Sequence, residues 1–171
     1  MNMTAMLPFL SQEDLQILTQ KIIESEKKEF QKVSLSQVVV FLDKAYIDDL
    51  FLNHLDDKKI VHSLLPFVSE KILYEVVQAN LIKENSVDIV SLLPFLDSKT
   101  IEEIAYHWID ENKNIHSLLP FLSNQTLHQL VLDYINGTKQ FDINDFVPFL
   151  EAEDMQLLFR FLIEKNENEK K

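Results

Sequence analysis

Leu64-Leu65-Pro66-Phe67-Val68-Ser69, Leu92-Leu93-Pro94-Phe95-Leu96-Asp97 and Leu118-Leu119-Pro120-Phe121-Leu122-Ser123 are three copies of one phrase. Looser copies are Met6-Leu7-Pro8-Phe9-Leu10-Ser11, Val38-Val39-Val40-Phe41-Leu42-Asp43 and Phe146-Val147-Pro148-Phe149-Leu150-Glu151. The shared Phe falls at 9, 41, 67, 95, 121 and 149, with spacings of 32, 26, 28, 26 and 28 residues. Five copies keep the preceding Pro, and Val40 replaces it in the second. The alternation of 26 and 28 points to a duplicated pair of repeats. Val61-His62-Ser63 and Ile115-His116-Ser117 precede matching phrases at a 54-residue offset, as such a duplication requires. A fixed period of this length is the mark of stacked supersecondary units.

Counting from the Phe, offsets +6, +9, +10, +13 and +14 are mostly apolar, as in Ile101, Ile104, Ala105, Trp108 and Ile109. That is the stripe of an amphipathic helix. Offset +2 holds Ser11, Asp43, Ser69, Asp97, Ser123 and Glu151, five of them favoured N-caps. Each repeat therefore carries a second helix of about 12 residues starting just after Phe-Leu. A shorter first helix precedes it. Its cap is either the residue nearer the proline (Ser63, Ser91, Ser117, Asp145) or the one further upstream (Asp88, Asn114, Asp142). The nearer set is preferred, because it puts Pro in the first turn, where a missing N–H costs nothing. Repeat-invariant Phe is expected in the stacked core, with Pro shaping the corner.

The expected architecture is all-α: one domain over residues 1–163, a right-handed α-solenoid of six short helix–turn–helix repeats of about 26–28 residues. The repeats lie near 4–23, 35–55, 61–82, 89–110, 115–136 and 143–163. Residues 24–35 form the one long charged connector, and 164–171 form a charged tail expected to fray.

Composition narrows function. Gly137 is the only glycine, which argues against phosphate-cradling loops and glycine-rich hairpins. No cysteine is present, so disulfides, thiolate metal sites and cysteine nucleophiles are excluded. The net charge of −12 opposes a phosphate backbone, and no basic amphipathic stretch invites a membrane. Neither a signal peptide nor a spanning segment is expected, so the expected location is the cytoplasm. No cofactor or metal is expected; His107, His116, Asp110 and Glu111 cluster locally but match no ligand spacing.

Two surfaces stand out. Asp48, Asp49, Glu75, Glu102 and Glu103 occupy offsets +7 and +8, where they align as an outward acidic stripe. It is either a solvated face or a docking strip for a basic partner. Tyr106 and Leu132 share offset +11 and line either a groove or an extra contact row. The last helix is apolar nearly all round. Met155, Leu158, Phe159, Leu162 and Ile163 are expected to face the fifth repeat, leaving Leu157 and Phe161 uncovered as a partner or homodimer contact.

The recurring phrase with its paired helices resembles the short repeats of HEAT-like α-solenoids, over about residues 4–163. The units are shorter than typical HEAT repeats and lack their Asp/Arg ladder. The resemblance implies a binding scaffold and carries over no catalytic residue. The expected function is thus a non-catalytic protein-interaction scaffold or adaptor. An acidic inhibitor mimicking nucleic acid is the alternative, and an enzyme of unknown type comes third.

Overall fold

The computed structural model describes residues 3–27, 29–83 and 87–168. The chain is mostly helical, with one two-stranded hairpin among the described residues. It divides into two compact units, Met1–Phe95 and Leu96–Lys171.

The first unit opens with a 3-10 helix, Met3–Phe9, followed by α1 (Gln12–Glu24). The charged connector then folds into β1 (Glu29–Phe30) and β2 (Val33–Ser34), paired antiparallel. Its two-residue turn places Gln31 at φ 51° and Lys32 at φ 65°. Left-handed backbone at two non-glycine residues costs about 1–2 kcal/mol each. The fully buried Val33 and the bond from Glu29 N–H to Ser25 Oγ (2.8 Å) offset that strain. Next come α2 (Leu35–Val38), α3 (Lys44–Asn53), α4 (Lys58–Leu64), α5 (Glu70–Ile82) and α6 (Ile89–Leu92). The second unit holds α7 (Ser98–Asp110), α8 (Asn124–Ile135) and α9 (Ala152–Asn168). The backbone of 164–168, expected to fray, continues α9; Glu164 and Lys165 are good helix formers, and no breaker intervenes.

Each copy of the phrase forms the same corner. The chain tightens into a 3-10 turn that ends at the Phe, as in Leu65–Phe67, Leu93–Phe95 and His116–Phe121. Proline lacks the N–H an α-helix would use there, and a 3-10 turn accommodates it. The next residue is extended (ψ 148° at Leu42, 143° at Val68, 142° at Leu122), and the one after it caps the following helix.

That geometry corrects the expected role of the Phe column. Leu64, Leu92 and Leu118 are fully buried, and Leu65, Leu93 and Leu119 nearly so. Phe41, Phe67, Phe95 and Phe149 are only half-buried; Phe121 is 37% exposed and Phe9 87%. The Phe is the last residue before the chain turns extended, so its ring leaves along the corner's edge. The leucine pair ahead of it fills the core.

The caps of the first helices are also the other set. Asp57 Oδ1 accepts from Lys59 and Ile60 N–H (3.0 and 3.2 Å), and Asp88 Oδ1 from Val90 N–H (3.1 Å). Asn114 and Asp142 do the same for His116 and Asn144. Ser63 and Ser91 sit inside, donating to the carbonyls of Lys59 and Asp88. A carboxylate or amide two residues upstream reaches the free N–H groups, whereas a serine closer to the proline bonds backward instead.

Three of the expected second-helix caps bond as expected, while Asp43 and Ser69 stand at the N-cap position without a side-chain cap bond. Ser11, Asp97 and Ser123 accept from the N–H of Asp14, Thr100 and Thr126 (3.1, 2.7 and 3.1 Å). The Thr100 N–H holds the Asp97 carboxyl below the usual carboxylate range. Leu73, Ile101 and Leu127 are buried as expected, and Trp108 is half-buried. Gly137 (φ 71°) ends α8: its N–H bonds the Tyr134 carbonyl, and Thr138 N–H bonds that of Asp133. This is the Schellman pattern, which needs a left-handed residue at that place.

Candidate functional site

The acidic stripe comes apart into two groups. Asp49 and Glu75 are exposed, Glu75 beside Lys71 (3.8 Å). Asp48, Glu102 and Glu103 are half-buried. Asp48 of α3 accepts from the N–H of Ser69 (2.8 Å) and from its hydroxyl, at the start of α5. Glu102 of α7 accepts from Thr126 Oγ1 of α8 (3.4 Å). The stripe is therefore partly internal. Carboxylates at offset +7 bond the first turn of the following second helix.

Other side chains use the same geometry. Gln12 of α1 donates to the Phe41 carbonyl (2.8 Å) and accepts from Asp43 N–H (2.9 Å). Asn124 donates to Glu151 (2.5 Å), and His128 Nδ1 bonds Asp154 Oδ1 (2.5 Å). Asp154 is only 4% exposed. The hydrogen bond that His128 donates to the Asp154 carboxylate, aided by that charge, raises the pKa of His128. Sequence reasoning missed these four residues. Their signal was a polar side chain at +3 or +7 matched by a partner at +2 or +5 one repeat later.

Tyr106 is engaged within the fold. The Tyr106 hydroxyl donates to Asp133 (3.1 Å), and Leu132 is half-buried. Burial, then the Asp133 carboxylate, pushes the phenol pKa up to about 12. Lys139 pairs with Asp110 and lies 5.7 Å from the Tyr106 ring centre. Tyr106, Asp133 and Lys139 form a polar seam between α7 and α8.

The last helix is rolled relative to expectation. Leu157 and Phe161 are half-buried, with Phe161 edge-on to Tyr134 of α8 at 6.0 Å. Tyr134 also meets Phe141 (5.7 Å), which stacks on the fully buried Phe146 (4.6 Å). This aromatic cluster draws Leu157 and Phe161 inward. The uncovered face carries Met155, Phe159, Leu162 and Ile163, exposed by 40, 65, 44 and 46%. Those residues sit at i, i+4, i+7 and i+8, one continuous apolar stripe.

A cavity of about 610 Å3 opens within the first unit, where α2, α4 and α6 begin beside the β-hairpin. No motif announced it, because its lining comes from three short helix starts, 23 and 31 residues apart along the chain. Among the described residues no group of three or more His, Asp or Glu is placed to hold a metal ion. His107 pairs with Glu111 (3.3 Å), while His116 lies 3.8 Å from Asp145. No helix of the described residues is long and apolar enough to cross a membrane.

Compared with known families, curated proteins and solved structures, the chain matches none.

Proposed function

We propose that this chain is a non-catalytic, cytoplasmic protein-interaction scaffold: a right-handed, HEAT-like α-solenoid of six short hairpins that docks a partner helix on α9. The uncovered stripe of Met155, Phe159, Leu162 and Ile163 carries the proposal. On α7, offsets +7 and +11 receive α8; on α8, offsets +3, +7 and +13 receive α9. The matching side of α9 is the bare one. The occupant is an amphipathic helix seated on α9 as α9 sits on α8.

The four side chains expose on the order of 400 Å2, the size of a functional patch on a monomer. A standard interface needs about 800 Å2 per partner, so they form its centre and neighbouring polar residues its rim. A basic partner suits the net charge of −12, with the exposed Asp49 and Glu75 contributing to long-range attraction. A second copy would bring another −12 and is disfavoured on that ground. A nucleic-acid mimic has fewer free carboxylates to draw on, because Asp48 and Glu102 are engaged within the fold.

The test is a Phe159→Glu/Leu162→Glu double variant. It should keep the wild-type urea midpoint yet lose a protein that the wild type retains from its host. Equal retention by both would remove α9 as the contact.

A further inference from the structure

The cavity beside the hairpin has a chemistry opposite to that of the whole chain. Its volume, about 610 Å3, falls within the range of small-molecule sites. Leu35, Ile60, Val61, Leu65 and Val87 make an apolar wall, all exposed by 8% or less. Lys27, Lys58, Lys59 and His62 stand around it, exposed to solvent.

Among the described residues only two acids share the lining, Glu29 and Asp88, and Asp88 Oδ1 is engaged in capping α6. The lining thus has three lysines to two acids, in a chain of 16 basic and 28 acidic residues. Among the described residues Lys27, Lys58 and Lys59 have no ion-pair partner, a trait they share with lysines elsewhere such as Lys44 and Lys99, but only these three line the cavity. An acid-rich chain has ample carboxylates to neutralise these lysines, yet they ring an apolar pit instead.

Ammonium groups above an apolar wall suit a ligand that is itself amphipathic. Burial of its body removes apolar surface from water, and its head meets charge-assisted donors. We propose that this cavity binds a small organic anion, an apolar body bearing a carboxylate or phosphate head. The body lies against Leu35, Ile60 and Val61, and the head is met by Lys58, Lys59 and Lys27. The site is independent of α9 and does not rest on the scaffold proposal.

Four eight-carbon probes test it on the full chain by amide NMR: octanoate, octyl phosphate, 1-octanol and octylammonium. The first two separate a carboxylate head from a phosphate head. At least one of them should shift the Leu35, Ile60 and Val61 signals saturably, with octylammonium and octanol about tenfold weaker or more. A Lys58→Glu/Lys59→Glu variant with an unchanged reference spectrum should lose about tenfold or more in affinity for the anion. Equal affinity for octanoate and octylammonium would overturn the proposal. So would shifts confined to α9, or none at about 10 mM probe, the top of a millimolar-affinity titration.

Discussion

α8 and α9 start from the same phrase and bury different sides. On α8, Thr126, Leu127, Leu130 and Val131 are buried, at offsets +5, +6, +9 and +10. On α9, Asp154 and Leu158 are buried at +5 and +9, while Met155 and Phe159 at +6 and +10 face out. The difference follows from what each helix meets. α8 has α7 on one side and α9 on the other, so both flanks of its stripe are covered. α9 is held from one side only, through Asp154, Leu157, Leu158 and Phe161. An apolar position in such a repeat is buried by its neighbours, not by its own periodicity.

The largest expected effect tests the same principle within the corner phrase. Leu118→Ala should cost about 2–5 kcal/mol in urea denaturation, because Leu118 is fully buried. Phe121→Ala should cost about 1 kcal/mol, and Phe9→Ala about nothing. Equal losses at Leu118 and Phe121 would return the Phe column to the core.

A second pair of variants compares the two sides of α9. Leu157→Glu/Phe161→Glu should detach the helix, seen as fast hydrogen exchange along α9 and a lowered urea midpoint. Phe159→Glu/Leu162→Glu should do neither. The reverse pattern would restore the orientation expected from the repeat offsets.

The joints themselves differ in pH response. His128, bonded to the buried Asp154 and near Glu153, titrates above 6.5 in the folded chain. Its contribution to the α8–α9 joint is complete below pH 6.5 and fades as pH rises through the raised value. NMR titration should place His128 above 6.5, and Asp154→Asn should bring it back down. Tyr106 sets the α7–α8 joint, with a folded pKa near 12 against 10 unfolded. That joint keeps its full strength below pH 10 and weakens toward pH 12. Tyr106→Phe should cost about 1 kcal/mol at neutral pH and remove that alkaline dependence. A wild-type chain and Tyr106→Phe with identical stability from pH 9 to 12 would contradict the assignment.

Helix positions and the caps Ser11, Asp97 and Ser123 were readable from sequence, because each depends on residues within one turn. The roll of α9 was not. Its apolar residues cover both sides, and the deciding contacts come from Tyr134 in α8 and from Phe141 and Phe146 beyond it. The acids at +7 read as solvated because their partners, Ser69 and Thr126, lie 21 and 24 residues away. The choice between Ser91 and Asp88 as cap turned on a 3-10 turn that leaves proline tolerated deeper in the segment. The cavity was invisible for a similar reason, since Leu35, Ile60 and Val87 meet only in the fold.

The claim at the centre is that the bare face of α9, and not the acidic stripe, is where another chain sits. A photo-crosslinking residue placed at Phe159 in the native host tests this most directly, with the same residue at the exposed Gln129 of α8 as reference. Phe159 should give a discrete adduct heavier than the chain, which Leu162→Glu abolishes, and Gln129 should not give it. No adduct at Phe159, or the same adduct from Gln129, would contradict the account.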